Sequence, residues 1–366
     1  MSAGFADARC PSRHDRDLVL EQHAVVSLVR FRPCRLASPA QRIDTTTPPL
    51  TTLCRPGACA RNQGNQPHPE GSMASEAFYR IREIIASQDM PADIDAMRKG
   101  IELTARPLPA GVTGEMVDAN GVPCELQTPD ETTGDAIVQY VHGGGYVAGS
   151  IGSHRNLTGH LALKLGCPVL SVDYRLAPEH PHPAPVEDSV AVYRWLLDRG
   201  YPADRIAIAG DSAGGGLTMS TLMKLRDVGL PLPAAAVPIS PWVDMSGTGE
   251  SAVTRSDRDP MVSAGDLTRI AGVFLGPDGD PADPYASPLE GDLSGLPPLL
   301  IHCGDDEVLL SDSERLAHKA RTSGVDVTLE VWPEMIHVWH SMAGLFPEAD
   351  EGIARVAEYL GERLEV

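Results

Sequence analysis

Residues 206–214 read IAIAGDSAG, a short apolar run that leads into a Gly-x-Ser-x-Gly pattern around Ser212. The apolar run predicts a buried strand, and the small and apolar residues from Ala213 to Leu225 predict a helix directly after it. A serine at such a sharp strand-to-helix turn has its hydroxyl lifted above the edge of the sheet. The pattern also occurs in ordinary small-residue turns, but the flanking strand and helix favour a nucleophile. Ser212 is therefore the candidate nucleophile, and the N–H of Ala213 at the helix start is a candidate oxyanion donor.

A second glycine-rich loop lies upstream of this turn. The apolar run Ala136–Val141 predicts another strand, which ends in His-Gly-Gly-Gly-Tyr at residues 142–146. Glycines allow backbone amides to point into an open site more freely than residues with a Cβ. The order of strand, glycine loop, crossover and nucleophile turn puts both loops at the carboxyl ends of parallel strands, where α/β sheets bind ligands. Gly144 and Gly145 are therefore predicted to complete an oxyanion hole with Ala213.

Three further stretches accompany these loops in order along the chain. They read DYRLAPEHP at 173–181, SPWVD at 240–244 and DRDPM at 257–261. With them, the chain from about Ala74 to its C-terminus resembles the hormone-sensitive lipase-like family of bacterial carboxylesterases, in its Gly-Asp-Ser-Ala-Gly branch. The resemblance implies an α/β-hydrolase fold, with a mostly parallel central sheet flanked by helices and covered by a helical cap. It also implies a serine esterase that acts on esters with short to medium acyl chains.

The resemblance further implies that an acid and then a histidine follow the nucleophile, each on a loop after a strand. The apolar run Pro298–Cys303 ends in GDDEVL, and the family's acid motif, laid on it without a gap, puts Glu307 in the place of the usual aspartate. A glutamate fills that role on some members of this fold. Asp306 has the usual side-chain length and needs a shift of only one residue, so it is the alternative acid. Asp305 and Asp312 are interpreted as solvated loop or helix-cap charges.

The histidine of the triad is assigned in the same way. The run Asp326–Trp332 predicts the next strand, and His337 follows it in the place of the family's His-Gly-Phe histidine. Val338 stands where the family has glycine, which makes the loop stiffer. His340, three residues further on, is the alternative base. His302, inside the preceding strand, is interpreted as a core or supporting histidine.

Several other residues are predicted to shape the site. His142 and Asp211 are expected to support the glycine loop and the nucleophile turn rather than to touch substrate. A triad mechanism requires neither a metal ion nor an organic cofactor, and none is predicted. The side chains predicted to border the substrate pocket are Tyr146, Trp242, Met245, Val338 and Trp339.

Composition limits the partners of the chain. Its 366 residues, 42% of them hydrophobic, suffice for one large α/β domain with a smaller cap. The formal net charge of −20 argues against nucleic acid or an anionic membrane as a partner. No apolar run reaches the ~20 residues that a membrane-spanning helix needs. The predicted partner is therefore a small-molecule ester.

The chain is predicted to divide into a leader, a cap in two segments and a catalytic domain. The first part is rich in arginine, has no lysine and shows little periodicity, and Gly-Ser-Met at 71–73 is typical of a cloning junction or an over-extended start. We interpret it as a leader outside the core, with a genuine N-terminal extension as the alternative. The predicted parts are residues 1–72 (leader), 73–110 (N-terminal cap helices), 245–295 (second cap segment), and 111–244 with 296–366 (catalytic domain).

Cysteine usage bears on the compartment. Four of the seven cysteines lie in residues 1–72, without a His or Cys pair at zinc-finger spacing. The other three, Cys124, Cys167 and Cys303, are interpreted as small core residues. Since nothing in this pattern demands disulfides, a cytoplasmic location is predicted.

Alternative functions use the same fold. A lactone or amide hydrolase would share the triad, and only relative rates on each substrate separate these activities. An epoxide hydrolase needs a carboxylate nucleophile where this chain has Ser212. A non-catalytic receptor related to the family lacks the catalytic histidine, whereas His337 is present here. Because family members are often dimers through the last strand and helix, a homodimer through Val327–Val331 and Ile353–Leu364 is left open.

Overall fold

The computed structural model describes residues 74–88, 91 and 93–366. The predicted leader, with Cys10, Cys34, Cys54 and Cys59, lies outside these residues. The strands of the described residues are β1 (Val112–Ala119), β2 (Val122–Pro129), β3 (Ile137–Val141), β4 (Val169–Val172), β5 (Ile206–Asp211), β6 (Ala235–Ile239), β7 (Leu299–Gly304) and β8 (Val327–Trp332). They form one sheet in the order β1-β2-β4-β3-β5-β6-β7-β8.

Helices fill the connections between these strands and cover both faces of the sheet. The α-helices of the described residues are α1 (Glu76–Ala86), α2 (Ile94–Glu102), α3 (Ile151–Leu165), α4 (Ala184–Asp198), α5 (Ala213–Asp227), α6 (Ser251–Thr254), α7 (Ala264–Leu275), α8 (Leu310–Thr322) and α9 (Pro347–Leu364). A short 3₁₀ helix spans Trp339–Met342.

The sheet is antiparallel at one edge and parallel elsewhere. Strand β1 pairs antiparallel with β2, and β2 with β4, whereas the pairs from β4 through β3 to β8 are parallel. Asn120 and Gly121 join β1 to β2 with φ of 57° and 88°. Such left-handed backbone is what a two-residue hairpin turn needs and what Asn-Gly favours. The predicted mostly parallel α/β sheet is confirmed.

The two faces of the sheet bury separate hydrophobic cores. In β5, Ile206 and Ile208 belong to one core cluster, while Ala207 and Ala209 belong to the other. The alternation follows because successive side chains of a strand point to opposite faces. Apolar side chains of α4, α5 and α8 complete the first cluster, and those of α3 and α9 complete the second. Because both faces are covered, the parallel strands are predominantly apolar, with Gln139, Ser171 and His302 as buried polar exceptions.

The region predicted as N-terminal cap is attached to loops at this carboxyl edge. Phe78 of α1 is fully buried in a third cluster that includes Trp332 at the end of β8. Arg98 of α2 donates hydrogen bonds to the carbonyl oxygens of Val147 and Ala177, at 2.7 and 3.0 Å. Across the described part of the chain, none of the helices combines the length and hydrophobicity that a bilayer crossing requires.

Candidate active site

Ser212 lies in the turn between β5 and α5 with φ 54° and ψ −119°. A non-glycine residue keeps such a conformation only where its surroundings enforce it. The flanking glycines make the turn sterically feasible. A Cβ on Gly210 would lie 2.5 Å from the carbonyl oxygens of Val141 and Gly214, and a Cβ on Gly214 would lie 2.0 Å from that of Val141. The Gly-x-Ser-x-Gly pattern is thus a steric requirement of this turn.

Three side chains from distant parts of the sequence meet beside this turn. Nε2 of His337 lies 2.9 Å from Oγ of Ser212, and Nδ1 of the same ring lies 3.0 Å from Oε2 of Glu307. Ser212 follows β5, Glu307 follows β7 and His337 follows β8. Because these strands are parallel, their loops meet at one edge of the sheet. The arrangement has the geometry of a nucleophile, its general base and the carboxylate that orients the base.

Glu307 has no exposed surface, so each of its oxygens needs a partner within the protein. Oε2 contacts His337, and Oε1 accepts hydrogen bonds from the Ser240 hydroxyl at 2.7 Å and the Gly304 N–H at 2.5 Å. The Ser240 hydroxyl also accepts the N–H of Val338 at 3.3 Å. Sequence analysis assigned Ser240 no role. The available signal was its position directly after β6, at the same edge as the triad.

The carboxylates around His337 favour its charged form. Burial alone would lower the pKa of His337, because an apolar environment disfavours the imidazolium. The hydrogen bond and the charge of Glu307 act against burial, and the charges of Asp259 and Asp211 add to them. As a result, the pKa of His337 is raised above its ordinary value of 6.5. The site therefore stabilises the imidazolium that a general base forms.

Asp306, the alternative acid, is bound elsewhere. Its two carboxylate oxygens form ion pairs with Arg82 of α1 at 2.8 Å and with Arg258 at 3.1 Å. Of the neighbouring residues Asp306 and Glu307, it is Glu307 that contacts the imidazole of His337. Asp305 forms an ion pair with Arg255 at 3.0 Å and keeps part of its side chain exposed.

His340, the alternative base, belongs to a different buried network. Its Nε2 lies 2.8 Å from Nδ1 of His302, and Nε2 of His302 lies 3.4 Å from Glu330. Burial, together with His302, lowers the pKa of His340 well below its ordinary range. A neutral ring that is bonded to His302 rather than to Ser212 is a packing residue.

Asp312 corrects the expectation of a solvated helix-cap charge. Its side chain is buried, and Oδ2 accepts the N–H groups of Val243 and Asp244 at 3.0 and 3.2 Å. Burial raises the pKa of Asp312 to about 7, although these donors and Arg315 act in the opposite direction. The prediction was wrong because closeness to a helix start does not reveal which side of the helix meets a neighbouring loop.

The glycine loop after β3 presents two backbone donors. Gly144 and Gly145 have φ of 115° and 66°, which glycine adopts without strain. A Cβ on Gly144 would lie 2.2 Å from the carbonyl oxygen of Ala148, and one on Gly145 would lie 2.9 Å from Ile270 of α7. Within the described residues, neither amide N–H makes a hydrogen bond. Both donors are therefore available to a ligand, as is the N–H of Ala213 at the first position of α5.

A buried polar network lies beneath this loop. Asp211 accepts hydrogen bonds from the Tyr140 hydroxyl at 2.7 Å and the Gly143 N–H at 3.2 Å, and lies 3.4 Å from Nε2 of His154. Nδ1 of His142 lies 2.7 Å from the carbonyl oxygen of Gly143. Burial and the neighbouring His154 lower the pKa of His142 to about 3, so its ring is neutral. These contacts hold the glycine loop against the nucleophile turn.

The residues predicted to border the pocket differ in their surroundings. Tyr146 stacks on Phe274 of α7, with ring centroids 3.8 Å apart, and Trp242 lies 6.1 Å from Tyr146. Each of these two side chains, like Met245 and Val338, keeps a few per cent of accessible surface. All four are therefore almost completely buried, and their place at the substrate pocket stays a prediction.

Trp339 corrects its predicted place at the pocket. It has no accessible surface, so it lines no open space. Its indole N–H donates to the carbonyl oxygen of Glu348 at 3.0 Å, and its ring lies 5.5 Å from that of Trp332. The cause is Val338, whose left-handed backbone (φ 47°) turns the chain so that Trp339 begins the short 3₁₀ helix inside the core.

Known proteins are similar in sequence to this chain. A family model described as alpha/beta hydrolase fold matches residues 138–341. The acetyl-hydrolase of Streptomyces hygroscopicus is 46% identical over 247 residues, which make up 68% of this chain and 82% of that protein. The ethyl acetate hydrolase of Pseudomonas putida is 34% identical over 258 residues, which make up 68% of this chain and 80% of that protein.

Solved structures share the fold at similar identity. A crystal structure of an esterase from the bacterial hormone-sensitive lipase family is 45% identical, with a TM-score of 0.77, and the match covers 80% of this chain and all of that one. A crystal structure of EstE5 soaked with p-nitrophenyl butyrate is 44% identical, with the same TM-score and coverage.

Proposed function

Since the chain is a carboxylic ester hydrolase of the α/β-hydrolase fold, we propose that Ser212, His337 and Glu307 are its catalytic triad. The chain belongs to the bacterial hormone-sensitive lipase-like esterases. The observation that carries this proposal is the unbroken line of contacts, 2.9 Å from Oγ of Ser212 to the imidazole and 3.0 Å from the imidazole to the carboxylate. A serine hydroxyl is a weak nucleophile until such a base takes its proton.

In the first step, Oγ of Ser212 attacks the ester carbonyl carbon while Nε2 of His337 takes the hydroxyl proton. Glu307 holds Nδ1, which fixes the tautomer of the ring and stabilises the imidazolium. The carbonyl oxygen becomes an oxyanion, which the N–H groups of Gly144, Gly145 and Ala213 bind. Loss of one such donor typically lowers turnover by roughly 10²–10³.

The second half of the reaction reverses these proton transfers. The tetrahedral intermediate collapses to an acyl-enzyme on Ser212, and His337 gives its proton to the leaving alcohol. A water molecule then attacks the acyl carbon and passes a proton to His337. Collapse of the second intermediate breaks the bond to Oγ, returns the proton to Ser212 and releases the carboxylic acid.

The substrates are proposed to be esters with short to medium acyl chains. Two relatives are named for acetyl esters, an acetyl-hydrolase and an ethyl acetate hydrolase. Helix α7 supports a compact site, because Ile270 packs on Gly145 and Phe274 on Tyr146. We propose that residues 73–110 and 245–295 together act as the cap that limits the length of the acyl chain. Lactones and amides would use the same triad and are tested as alternatives.

We also propose how the protein assembles and where it is located. A homodimer through Val327–Val331 and Ile353–Leu364 is supported by the position of β8 at one edge of the described sheet, where its residues are partly exposed. The charge of −20 supports a protein that does not bind nucleic acid. The free, buried thiols of Cys124, Cys167 and Cys303 support a reducing cytoplasm.

The test is the initial rate of p-nitrophenyl butyrate hydrolysis by the wild type and by Ser212→Ala. The matched control is Ser246→Ala, which removes the hydroxyl of an exposed serine. We expect activity in the wild type and the control and none above background in Ser212→Ala, with thermal unfolding of all three alike. An active Ser212→Ala variant would refute the triad. Rates on p-nitroanilide and lactone substrates, relative to the ester, then rank the alternative activities.

A further inference from the structure

The loop that carries the triad acid is hydrogen-bonded to a segment far from it in sequence. We call residues 305–308 the acid loop and residues 251–259, within the predicted second cap segment, the brace segment. Four side chains of the brace segment form hydrogen bonds with the acid loop. Ser251 donates to the carbonyl oxygen of Val308 at 2.6 Å, and Asp259 accepts the N–H of the same residue at 3.0 Å. Arg255 donates to Asp305, and Arg258 donates to Asp306. The brace segment thus limits how far Glu307 moves.

Asp259 and Ser251 make the two buried contacts of this set. Only 8% of Asp259 is exposed, and its Oδ2 accepts the N–H of Val308, the residue next to Glu307. Oδ1 accepts the N–H groups of Met261 and Val262 at 2.9 and 3.1 Å. One carboxylate therefore joins the turn that ends the brace segment to the backbone of the acid loop.

The charge of Asp259 also acts on the triad. The groups that face it are His337, whose charge lowers the pKa of Asp259, and Glu307, whose charge raises it. Burial is the largest influence and leaves the pKa of Asp259 above its ordinary value. In return, ionised Asp259 raises the pKa of His337, as do Glu307 and Asp211. Asp306, next to Glu307 in the acid loop, is instead paired with Arg82 and Arg258.

We propose that Asp259 is a positioning residue of the active site, a second carboxylate that holds Glu307 in place through Val308 and stabilises the imidazolium of His337 from outside the triad. The proposal rests on the proposed function, because it takes His337 to be the general base. It assigns part of the catalytic machinery to a segment predicted to be a substrate cover.

A purely structural role for Asp259 makes a different prediction. If it served only to shape the turn before Met261, its loss would lower stability and active concentration but would leave the ionisation of His337 unchanged. If its charge supports the imidazolium, its removal lowers the pKa of His337. The acidic limb of the kcat/KM profile reports the protonation of the base in the free enzyme, so that limb separates the two roles.

The experiment measures pH profiles of kcat and kcat/KM with p-nitrophenyl butyrate for the wild type and three variants. Asp259→Asn keeps the size and one acceptor oxygen but removes the charge, and Asp259→Ala removes both. Asp257→Asn, an exposed aspartate in the same segment, is the matched control. Ser212→Ala is assayed alongside, so that failure of the triad itself is seen separately.

For Asp259→Asn we expect kcat to fall about tenfold, less than the roughly 10²–10³ for a direct oxyanion donor, with KM within about twofold of the wild type. Its acidic limb should move to lower pH, while the control keeps the wild-type profile. Asp259→Ala should lose more activity than Asp259→Asn. If Asp259→Ala does not fold, the kinetics of Asp259→Asn still test the proposal. A wild-type kcat in Asp259→Asn, or a loss of kcat with an unmoved acidic limb, would overturn the proposal. An active Ser212→Ala would instead refute the proposed triad.

Discussion

The hydroxyl of Ser240 donates a 2.7 Å hydrogen bond to Oε1 of Glu307, the oxygen that does not contact the imidazole. The same hydroxyl accepts the N–H of Val338, directly after His337. One small side chain thus ties the acid loop to the loop of the base. Together with the Gly304 N–H, which donates to the same oxygen, it fixes the rotation of the carboxylate about its own axis, which the contact to the imidazole alone leaves free.

Replacement of Ser240 by alanine should lower kcat about tenfold with little change in KM. A hydrogen bond to a charged group contributes roughly 1.5–3 kcal/mol, and a carboxylate that rotates away loses part of its hold on the imidazolium in the transition state. Steady-state kinetics with p-nitrophenyl butyrate measures the effect. The exposed Ser246→Ala should behave as the wild type, and equal kinetics in the two variants would contradict the role of Ser240.

Glu307→Gln and Asp306→Asn should differ sharply although the residues are neighbours. The glutamine removes the charge beside His337, which typically costs about 10⁴ in kcat when a triad acid is replaced by its amide. It should also move the acidic limb of kcat/KM to lower pH, because Glu307 raises the pKa of His337. The asparagine loses only ion pairs with Arg82 and Arg258. If Asp306→Asn proved the more damaging change, the acid would be Asp306.

His337→Ala and His340→Ala should separate activity from stability. Loss of the base should lower kcat by about 10⁴ or more with near wild-type unfolding. Loss of His340 removes a ring packed on Trp339 and His302, which should destabilise the fold by about 2–3 kcal/mol while each folded molecule still turns over. Urea unfolding and active-site titration make the comparison. Tolerance of His337→Ala would contradict the assignment of the base.

Asp312 should make stability depend on pH between 5 and 7. Folding raises the pKa of Asp312 to about 7. Between pH 5 and pH 7, the folded state therefore holds a proton on this carboxyl group that the unfolded state has lost. Stability therefore falls as pH rises, by about 1.4 kcal/mol per unit and roughly 3 kcal/mol in all. Asp312→Asn lacks this dependence, so the variant should gain that much relative to the wild type from pH 5 to pH 8. Urea unfolding at both pH values tests it, and a constant difference would contradict it.

Deletion of residues 1–72 should leave activity and Tm nearly unchanged if they are a leader. Deletion of residues 1–110 removes Arg82 and Arg98, which bond to Asp306 and to the carbonyl oxygen of Val147. The longer deletion should therefore lower both Tm and turnover, because it frees loops at the acid and at the glycine motif. Equal losses in the two truncations would instead make the first 72 residues part of the folded enzyme.

Local signals in the sequence were sufficient for the sheet and the nucleophile turn. Apolar runs, glycine positions and the Asn120–Gly121 turn predict the strands, because strand periodicity and left-handed backbone depend on neighbours in the chain. The turn at Ser212 is recognisable from the glycines two positions away on either side, although part of the clash that they avoid is with Val141 of the neighbouring strand β3. The positions of the strands and turns can therefore be read from local sequence, while the steric reason for these glycines comes from a distant residue.

Features that depend on distant residues were beyond such signals. Three carboxylates stand in a row at 305–307, and the direction of each side chain is set by partners such as Arg82, more than 200 positions upstream. The burial of Asp312 depends on the loop after β6, and that of Trp339 on its contacts with His302 and with the carbonyl oxygen of Glu348. Residue type and spacing carry no information about these contacts.

The anchoring of α1 has a consequence for how the chain folds as it is made. The hydroxyl of Ser75, which caps this helix, bonds at 2.9 Å to Glu348, 273 positions later. At a synthesis rate of about 5–20 residues per second, that partner emerges roughly 14–55 s after the helix. For most of this interval Phe78 has no Trp332 to pack against. Helix α1 therefore reaches its native contacts only after most of the chain has been made, because the cluster that buries Phe78 is formed largely by residues 332–349.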